Sequence, residues 1–564
     1  MSKMKQKDEK QNNKFIRKTI VVILFLVCIL FVLKYAYYYL RDDITDKTNI
    51  IINNSNVTTD LKKDVLVENG ITYLSKEDIS NFFDPYIYYD EKYNQIVTGS
   101  EKKMAAIVIG EKKMTNNGST VSIQATVLEK EGTYYIPFSV LDSIYNVKTT
   151  YVEETDTIVI DSLNRKMVMA DSNKNNQVKY KMTMFSRTVD KLEKGDNVVI
   201  VNGSNEDGWI KIRTNKGKLG YVKEDSLTNQ TTIRDDMEEQ KQINENISMI
   251  WEYFSEYGEA PSRTGRLKGV NVVSPTFFTL KRLGKGEVEE NVGDAGKAYI
   301  EWAHSNGYKV WPSLSNSSMI ETTSEIMNDY QLRQELIDRI VSLVVEYKLD
   351  GINIDFENMY AEDKDLFSRF IIELKPRLSE IGAVLSVDVT APDGSETWSM
   401  CYDRHTIGKV ADYIVFMAYD QYGETAKEAG TTAGYDWIEV SLKKFVGIQE
   451  EIDPSKIILG MPFYTRIWWT NSNGELKNEA VNMKDLDNII PSYASKNWDD
   501  NLKQYVSEYT KNGVKYKVWI EDEKSIEAKL LLIENYHLAG AAYWQKGGES
   551  SQIWNLISEK LGIK

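Results

Sequence analysis

Residues 349–358 read LDGINIDFEN and combine an apolar run with regularly spaced polar side chains. In a β-strand, successive side chains point to opposite faces, so every second residue shares a face. Asn353, Asp355 and Glu357 therefore lie on one face of the predicted strand, and two isoleucines and a phenylalanine alternate with them on the other. The apolar face can pack beneath helices, which leaves the polar face for the interior of a closed sheet.

The surrounding chain repeats a strand-and-helix pattern. From Gly269 onward, amphipathic helical segments alternate with seven apolar runs: GVNVVSPTFF, YKVWPSLS, GINIDFE, LSVDVT, YIVFMAYD, IILGMPFY and GAAYWQ. A weaker eighth run is GEVEENV at 286–292. Eight units over about 295 residues predict an α/β fold, a (β/α)8 TIM barrel at 265–564, with a doubly wound sheet as the alternative. Roughly 75 residues between the last two runs exceed one helix and predict a small inserted α+β subdomain.

The two carboxylates lie where the predicted strand ends, which is the edge at which barrel enzymes place their chemistry. Two adjacent acids repel each other, so a structural salt bridge explains them less well than a catalytic site does. Among enzymes with paired carboxylates, retaining glycosidases place them about 5 Å apart on opposite sides of the scissile bond. Asp355 and Glu357 approach from one side, so Asp355 is poorly placed as a nucleophile. The known alternative nucleophile is the substrate's own 2-acetamido oxygen, with Glu357 as the acid and Asp355 holding the acetamido N–H.

Several segments carry a resemblance to a known family. LDGINIDFE resembles the signature of glycoside hydrolase family 18, DxxDxDxE, through Asp350, Asp355 and Glu357. FMAYD at 416–420 is similar to the family's MxYD strand, and GAAYW is similar to its last strand. PFYTRIW at 462–468 and VWIEDEKSI at 518–526 also resemble family segments. The resemblance implies a barrel enzyme that hydrolyses a polymer containing N-acetylglucosamine.

The resemblance also implies roles for individual residues. Tyr419 would hydrogen-bond the acetamido carbonyl oxygen and complete a catalytic set with Glu357 and Asp355. Trp544 would form the floor of the subsite for the acetamido sugar. The other expected substrate contacts are Asn353, Asp420, Met417, Tyr464 and Arg466.

One position departs from the family pattern, because Asn353 replaces the middle aspartate. An amide can hydrogen-bond Asp355 but cannot share a proton with it or add negative charge. DGINIDFE nonetheless resembles the bacterial branch of the family linked to spore-cortex and peptidoglycan lysis, in which asparagine is familiar at this place. Hydrolysis of peptidoglycan or a related polymer is therefore expected. A chitinase and a catalytically silent glycan-binding lectin are the alternatives.

The N-terminus predicts where the chain lies in the cell. Residues 20–33 read IVVILFLVCILFVL, and YAYYYL extends this segment past Lys34 to Leu40, about the length that a bilayer core requires. Seven lysines and arginines precede the run against two acidic residues, so residues 1–18 should stay cytoplasmic while the catalytic part is extracellular. No small-residue cleavage site follows, because tyrosines and Arg41 come next, and this favours an uncleaved anchor at 19–40 in the cell membrane over a signal peptide.

A duplicated module is predicted at residues 50–162. Seven matched positions lie 62 residues apart, beginning with Gly70 and Gly132 and ending with Val97 and Val159. Each copy reads as a short strand, a short helix and an alternating strand. The region resembles the copper amine oxidase N-terminal domain. It contains no histidine or cysteine, so a stalk without copper is expected.

A small β-barrel is predicted at residues 165–228, from the alternating runs KGDNVVIV, WIKIRT and GKLGYV. It resembles the bacterial SH3-like domain, and such modules commonly bind peptidoglycan peptides. Trp209 is expected to fill the interior of this barrel. The polar, charged segment at 229–264 is expected to be a linker or a helical lead-in.

The composition limits the classes of function. A net charge of −15 argues against a nucleic-acid partner, since a phosphate-binding surface needs a basic excess. The two cysteines, Cys28 and Cys401, exclude a disulfide framework, and the three histidines show no ligand-like spacing. No metal or cofactor is therefore expected. The expected partners are a polysaccharide and, through the anchor, the membrane.

Overall fold

The computed structural model describes residues 18–36, 48–203, 207–234, 246–254, 265–282 and 286–563. They form two compact units, one drawn from the described residues up to 79 and from 128 to 240, the other from those between 80 and 127 and from 241 onward. Helix α1 (Lys18–Ala36) is long and apolar enough to cross a membrane, by length and composition only. It coincides with most of the predicted anchor. Residues 1–17 and 37–40, which complete the predicted tail and anchor, lie outside the described residues.

The predicted duplication is confirmed by the order of the elements, since β3 to β6 around α2 repeat as β10 to β13 around α3. Strands β4 and β11 pair antiparallel with Leu74 opposite Ile136, so matched positions of the two copies meet. The module predicted as one domain is divided, because β5–β9 form a five-stranded sheet in the second unit. The elements are β1 (Asn49–Ile52), β2 (Ser55–Asn56), β3 (Leu66–Glu68), β4 (Ile71–Ser75), α2 (Lys76–Phe82), β5 (Tyr88–Asp90), β6 (Gln95–Gly99), β7 (Met104–Val108), β8 (Lys113–Asn116), β9 (Ser119–Ser122), β10 (Leu128–Lys130), β11 (Thr133–Pro137), α3 (Phe138–Tyr145), β12 (Val147–Val152) and β13 (Thr157–Ser162).

Residues 167–234 form a seven-stranded antiparallel sheet within the first unit. The three strands expected from the alternating runs are present, and Trp209 is buried. An apolar core that includes Ala170, Val178 and Ile212 holds the sheet together. The SH3-like identity stays a prediction. The strands are β14 (Met167–Ser172), β15 (Asn176–Lys179), β16 (Thr188–Leu192), β17 (Asn197–Asn202), β18 (Trp209–Thr214), β19 (Leu219–Lys223) and β20 (Leu227–Arg234).

The rest of the second unit is a parallel barrel surrounded by helices. Its eight strand positions are β21, β22, the short pair β25 and β26, β27, β28, β29, β30 and β36, and each pairs in parallel with the next around the ring. The strands are β21 (Ile247–Glu252), β22 (Val272–Pro275), β23 (Phe278–Leu280), β24 (Val288–Glu290), β25 (Lys309–Val310), β26 (Ser313–Ser315), β27 (Gly351–Asp355), β28 (Val384–Val389), β29 (Tyr413–Met417), β30 (Ile457–Pro462), β31 (Tyr464–Thr470), β32 (Leu476–Asn482), β33 (Asn497–Asp499), β34 (Gln504–Lys511), β35 (Val514–Ile520) and β36 (Gly540–Trp544).

Nine further helices accompany these strands, counted over the described residues of this unit. Helices are present between the apolar runs, as the amphipathic segments predicted. The helices are α4 (Gly293–Ser305), α5 (Ile320–Asn328), α6 (Tyr330–Glu346), α7 (Lys364–Glu380), α8 (Arg404–Val410), α9 (Tyr435–Val446), α10 (Leu486–Ile489), α11 (Glu523–Tyr536) and α12 (Ile553–Leu561).

Two expectations about the barrel strands were wrong. The first barrel strand is β21, which lies in the segment predicted to be a linker or helical lead-in. All six of its residues are buried, because it pairs with β22 and β36 on its two sides. The run GEVEENV is not a barrel strand, since β24 forms an antiparallel hairpin with β23. The inserted subdomain is confirmed as the five-stranded antiparallel sheet β31–β35.

Two apolar layers hold the barrel in shape. Ile352, Ile354 and Phe356 are fully buried in the outer layer, between β27 and the helices. The ring of Phe356 stacks on that of Phe370 in α7, with centroids 5.9 Å apart and planes at 5°. The inner layer includes Trp251, and it fills the barrel below the polar face of β27. The alternation predicted for LDGINIDFEN is therefore confirmed.

Candidate active site

The polar residues of interest lie at one end of the barrel, because parallel strands bring their carboxyl ends together. Burial decreases along β27 and the residues after it, since Asn353 is fully buried whereas Asp355 and Glu357 are partly exposed. Asp388 near the end of β28 and Tyr419 just after β29 extend the same edge. This edge carries carboxyl groups at two depths, with Asp388 buried and Asp355 and Glu357 partly exposed.

The main chain at Glu357 is fixed from both sides. Its N–H donates to Oδ1 of Asn316 at 2.9 Å, and its carbonyl oxygen accepts from Nδ2 of the same residue at 2.9 Å. The hydroxyl of Tyr402 donates to the carbonyl oxygen of the preceding residue, Phe356, at 2.7 Å. Asn316 and Tyr402 are buried, so the carboxyl of Glu357 stands on a rigid support. Burial, and then the negative charge of Asp420, raise the pKa of Glu357, which favours its protonated form.

Asp355 has an acceptor left over. Its Oδ1 is buried and has no hydrogen-bond partner within the part of the chain that the structure describes. An unpaired buried acceptor costs free energy that a ligand N–H can recover. Burial, and then the neighbouring Glu357, raise the pKa of Asp355 well above its ordinary value. Asp355 thus has an acceptor to which a bound molecule can donate a hydrogen bond.

Asn353 does not reach the mouth of the pocket. It is fully buried, and its Oδ1 accepts from Nε1 of Trp251 at 2.9 Å. Its Nδ2 donates to Oγ of Ser386 at 3.0 Å and to Oδ1 of Asp388 at 2.7 Å. The expected contact between Asn353 and substrate is therefore contradicted, since every polar atom of the side chain is bonded to protein. The side-chain partners of Asn353 are Trp251, Ser386 and Asp388, and the hydrogen bond to Asp355 that an amide can make is not among them.

Asp388 was missed by the sequence reasoning. It is 1% exposed, and its pKa is raised well above the usual value by burial first and by Asp355 second. The signal was present in LSVDVT, where Ser386 and Asp388 are polar at alternate positions of an apolar run. Only the pairing of β28 with β27 shows that these residues face Asn353.

A second group surrounds the pocket on the side of β29 and β31. The hydroxyl of Tyr464 donates to Oδ1 of Asp420 at 2.7 Å, and Nε of Arg466 lies 3.7 Å from the same oxygen. Burial, followed by the nearby carboxyls beginning with Asp388, raises the pKa of Tyr419 well above 10, so its hydroxyl keeps its proton and can donate it. The rings of Tyr419 and Tyr464 meet edge to face with centroids 6.4 Å apart.

The predicted aromatic floor lies at the end of β36. Trp544 is partly exposed, and its ring meets that of Trp251 edge to face with centroids 6.0 Å apart. Met417, at the end of β29, is 5% exposed. A partly exposed tryptophan that packs against an aromatic neighbour can offer the apolar ring surface on which a pyranose ring stacks.

Other conspicuous groups belong to the framework. Asp350, the first acid of the motif, lies at the start of β27 and accepts from Lys309 at 2.7 Å and from the main-chain N–H of Val310 at 3.0 Å; its Oδ2 also lies 2.9 Å from Nε2 of His304. It fixes the strand and stands away from the pocket mouth. Among the described residues, no group of three histidine, cysteine or acidic side chains could hold a metal ion.

Comparisons with known proteins show which families the chain resembles. The family model described as glycosyl hydrolases family 18 matches residues 249–549, and the copper amine oxidase N-terminal domain matches residues 47–160. An uncharacterized glycosylase, YvbX of Bacillus subtilis, is 28% identical over 301 residues, which are 51% of this chain and 84% of that protein. The cortical fragment-lytic enzyme of Bacillus subtilis is 26% identical over 267 residues, 44% of this chain and 59% of that protein. Among solved structures, a chitinase from Chromobacterium violaceum has a TM-score of 0.49 at 24% identity, covering 57% of this chain and 100% of that chain.

Proposed function

The chain belongs to glycosyl hydrolases family 18, and on that premise we propose that it hydrolyses N-acetylglucosaminyl linkages in peptidoglycan or a related polymer by a retaining, substrate-assisted mechanism. The strongest support is the pair of carboxyls at the end of β27. Glu357 is held by its main chain and favours the protonated form, and Asp355 presents an unpaired acceptor beside it. These are the two properties that the mechanism needs from one side of the sugar.

Glu357 is the general acid in the proposed first step. Its proton passes to the glycosidic oxygen as the bond to the anomeric carbon breaks, and the acetamido carbonyl oxygen forms the new bond to that carbon. The resulting Glu357 carboxylate then takes a proton from water, whose oxygen attacks the same carbon as the bond from that carbon to the acetamido oxygen breaks. The acetamido group is restored, and the sugar is released with retained configuration. A raised pKa suits this acid, because it must still hold its proton when substrate arrives.

Asp355 and Tyr419 hold the acetamido group in this proposal. Oδ1 of Asp355 accepts from the acetamido N–H and stabilises the positive charge that develops on the cyclised group. The hydroxyl of Tyr419 donates to the acetamido carbonyl oxygen and aims it at the anomeric carbon. Trp544 supports the sugar ring from below, and Asp420, Tyr464 and Arg466 line the adjoining wall.

Peptidoglycan is the favoured polymer because the cortical fragment-lytic enzyme is among the relatives. A chitin-like polymer is the second candidate, because a human di-N-acetylchitobiase, 24% identical over 272 residues, is also among them. A location outside the cell supports either polymer. The apolar helix α1 and the basic residues that precede it favour a single-pass anchor with the barrel on the extracellular side.

The test uses the purified full chain in detergent with peptidoglycan, chitin oligomers and the same polymers after removal of their N-acetyl groups. Mass spectrometry identifies the new reducing ends. Products ending in reducing N-acetylglucosamine, formed only from acetylated polymer, are expected. Release from chitin alone would replace peptidoglycan by chitin as the substrate. Cleavage of deacetylated polymer at a similar rate would refute the substrate-assisted mechanism, and binding without any release would favour the silent lectin.

A further inference from the structure

The orientation of the Asn353 amide follows from the chemistry of its neighbours. An indole nitrogen is a donor only, so the atom that faces Nε1 of Trp251 at 2.9 Å must be the amide oxygen. The amide nitrogen is thereby directed at Asp388, whose Oδ1 accepts at 2.7 Å. Trp251, Asn353 and Asp388 are each at most 1% exposed, so this chain of bonds is sealed from water. Asp388 is held in place by a bond whose direction the protein fixes.

Asp388 lies beside Asp355 across the sheet. β27 and β28 run parallel with Asn353 opposite Ser386 and Ile354 opposite Val387, which sets Asp355 next to Asp388 on the inner face. Neighbouring strands lie about 4.8 Å apart, so the two carboxyls are within reach of one another. Two buried carboxyls at such a spacing cannot both ionise cheaply, so the pair favours holding one proton between them.

The surroundings of this pair are acidic or neutral. Glu357 lies two residues beyond the end of β27, and its charge acts on Asp388; Tyr413 lies on β29 and Tyr419 follows it. The inner apolar layer of the barrel consists of neutral side chains, which include Trp251, Val272, Ile458 and Ala542. No positive group among these neighbours would stabilise a second negative charge on the pair. The lowest-energy course is therefore that the pair keeps one negative charge while substrate binds and reacts.

Resting on the proposed function, we propose that Asp388 is the positioning residue that receives the proton of Asp355 during the reaction. Asp355 starts protonated. When the acetamido N–H reaches Oδ1 of Asp355 and positive charge develops on the sugar, the proton of Asp355 moves to the carboxylate of Asp388. The pair carries one proton and one negative charge before and after, and the proton returns when product leaves. Asn353 cannot accept this proton, but it holds Asp388 where the transfer is possible.

The test compares four forms of the full chain, the parent and three variants. Asp388→Asn keeps the shape and removes the proton acceptor. Asn353→Asp combined with Asp388→Asn moves the carboxyl from β28 to β27. There it can again share a proton with Asp355, which lies two residues further along the same strand. Asp412→Asn is the matched control, because Asp412 accepts from Lys375 at 2.6 Å and from the N–H of Leu385 at 2.8 Å at the opposite end of the same strands.

For Asp388→Asn we expect kcat to fall about 10²-fold with little change in KM, since a proton-transfer partner is lost without loss of a substrate contact. The acid limb of the kcat profile should move to higher pH by about one unit, because a fully protonated pair of carboxyls loses its first proton more readily than a lone carboxyl does. The double variant should regain at least about tenfold in kcat. Asp412→Asn should lower the melting temperature and leave the acid limb in place.

Two outcomes would overturn the proposal. One is an unmoved acid limb in Asp388→Asn together with a lowered melting temperature, which would make Asp388 a structural residue. The other is a double variant no more active than Asp388→Asn. Failure of the proposed function is seen separately, because the unsubstituted chain would then release no reducing ends at any pH.

Discussion

Trp251→Phe tests whether one buried hydrogen bond organises the floor of the pocket. The indole of Trp251 is 1% exposed, and Asn353, which accepts its N–H at 2.9 Å, is fully buried. Phenylalanine keeps an aromatic ring beside Trp544 but has no donor. Water does not reach the position, so Oδ1 of Asn353 is left without a partner.

The expected cost follows from two contributions. A buried acceptor without a partner costs about 1–3 kcal/mol of unfolding free energy. The smaller ring leaves a cavity that costs about 1–2 kcal/mol more, a fraction of the loss for truncation of tryptophan to alanine. The barrel should thus lose about 2–5 kcal/mol. Since the amide of Asn353 is no longer held in one orientation, kcat should fall as well.

Trp311→Phe is the matched control. Trp311 lies in the same inner layer, is fully buried, and its Nε1 has no hydrogen-bond partner among the described residues. It reports the effect of the smaller ring without the loss of a hydrogen bond. Guanidinium unfolding of each variant, followed by tryptophan fluorescence and by residual hydrolysis, should give a difference of about 1–3 kcal/mol between the two. Equal losses, with equal kcat, would refute the idea that the indole of Trp251 fixes Asn353.

Two further predictions concern charge. Burial and the charge of Asp420 raise the pKa of Glu357, and Asp420→Asn removes that negative neighbour. Glu357 should then lose its proton at lower pH, so the basic limb of the kcat profile should move to lower pH. The exposed control Asp500→Asn should leave that limb in place, and an unmoved limb in Asp420→Asn would contradict the prediction. Lys529→Met strands the carboxylate of Glu521, because both side chains are fully buried and Nζ of Lys529 donates to both of its oxygens at 2.6 Å. Denaturant unfolding should show a loss of about 3–5 kcal/mol in the free energy of unfolding, most of which is restored when Glu521→Leu is added. A loss that persists in the double variant would show that altered packing of the side chains, and not the unpaired charge, dominates.

The sequence was sufficient where the information was local. The alternation within LDGINIDFEN predicted both faces of β27, and the length between the last two apolar runs predicted the inserted sheet β31–β35. The amphipathic segments predicted α4, α6, α7 and α11, because a helix that packs on one side shows its period in any stretch of four turns.

The sequence was insufficient where partners are distant. β21 is a six-residue run between polar segments, and it is a strand because β22 and β36 flank it in space. The partner of Asn353 is Trp251, which lies 102 residues earlier. The register of β28 against β27 places Asp388 beside Asp355, and no spacing within LSVDVT predicts that register.

The most direct test of the account is the rate at which Glu357→Gln releases reducing ends from acetylated peptidoglycan or chitin oligomers. Glutamine keeps the size of the side chain and the main-chain bonds to Asn316 but cannot give a proton to the glycosidic oxygen. The account predicts a rate about 10²–10⁴-fold below that of the unsubstituted chain, with binding of the polymer retained. A rate within about twofold of the unsubstituted chain would contradict the assignment of Glu357 as the general acid.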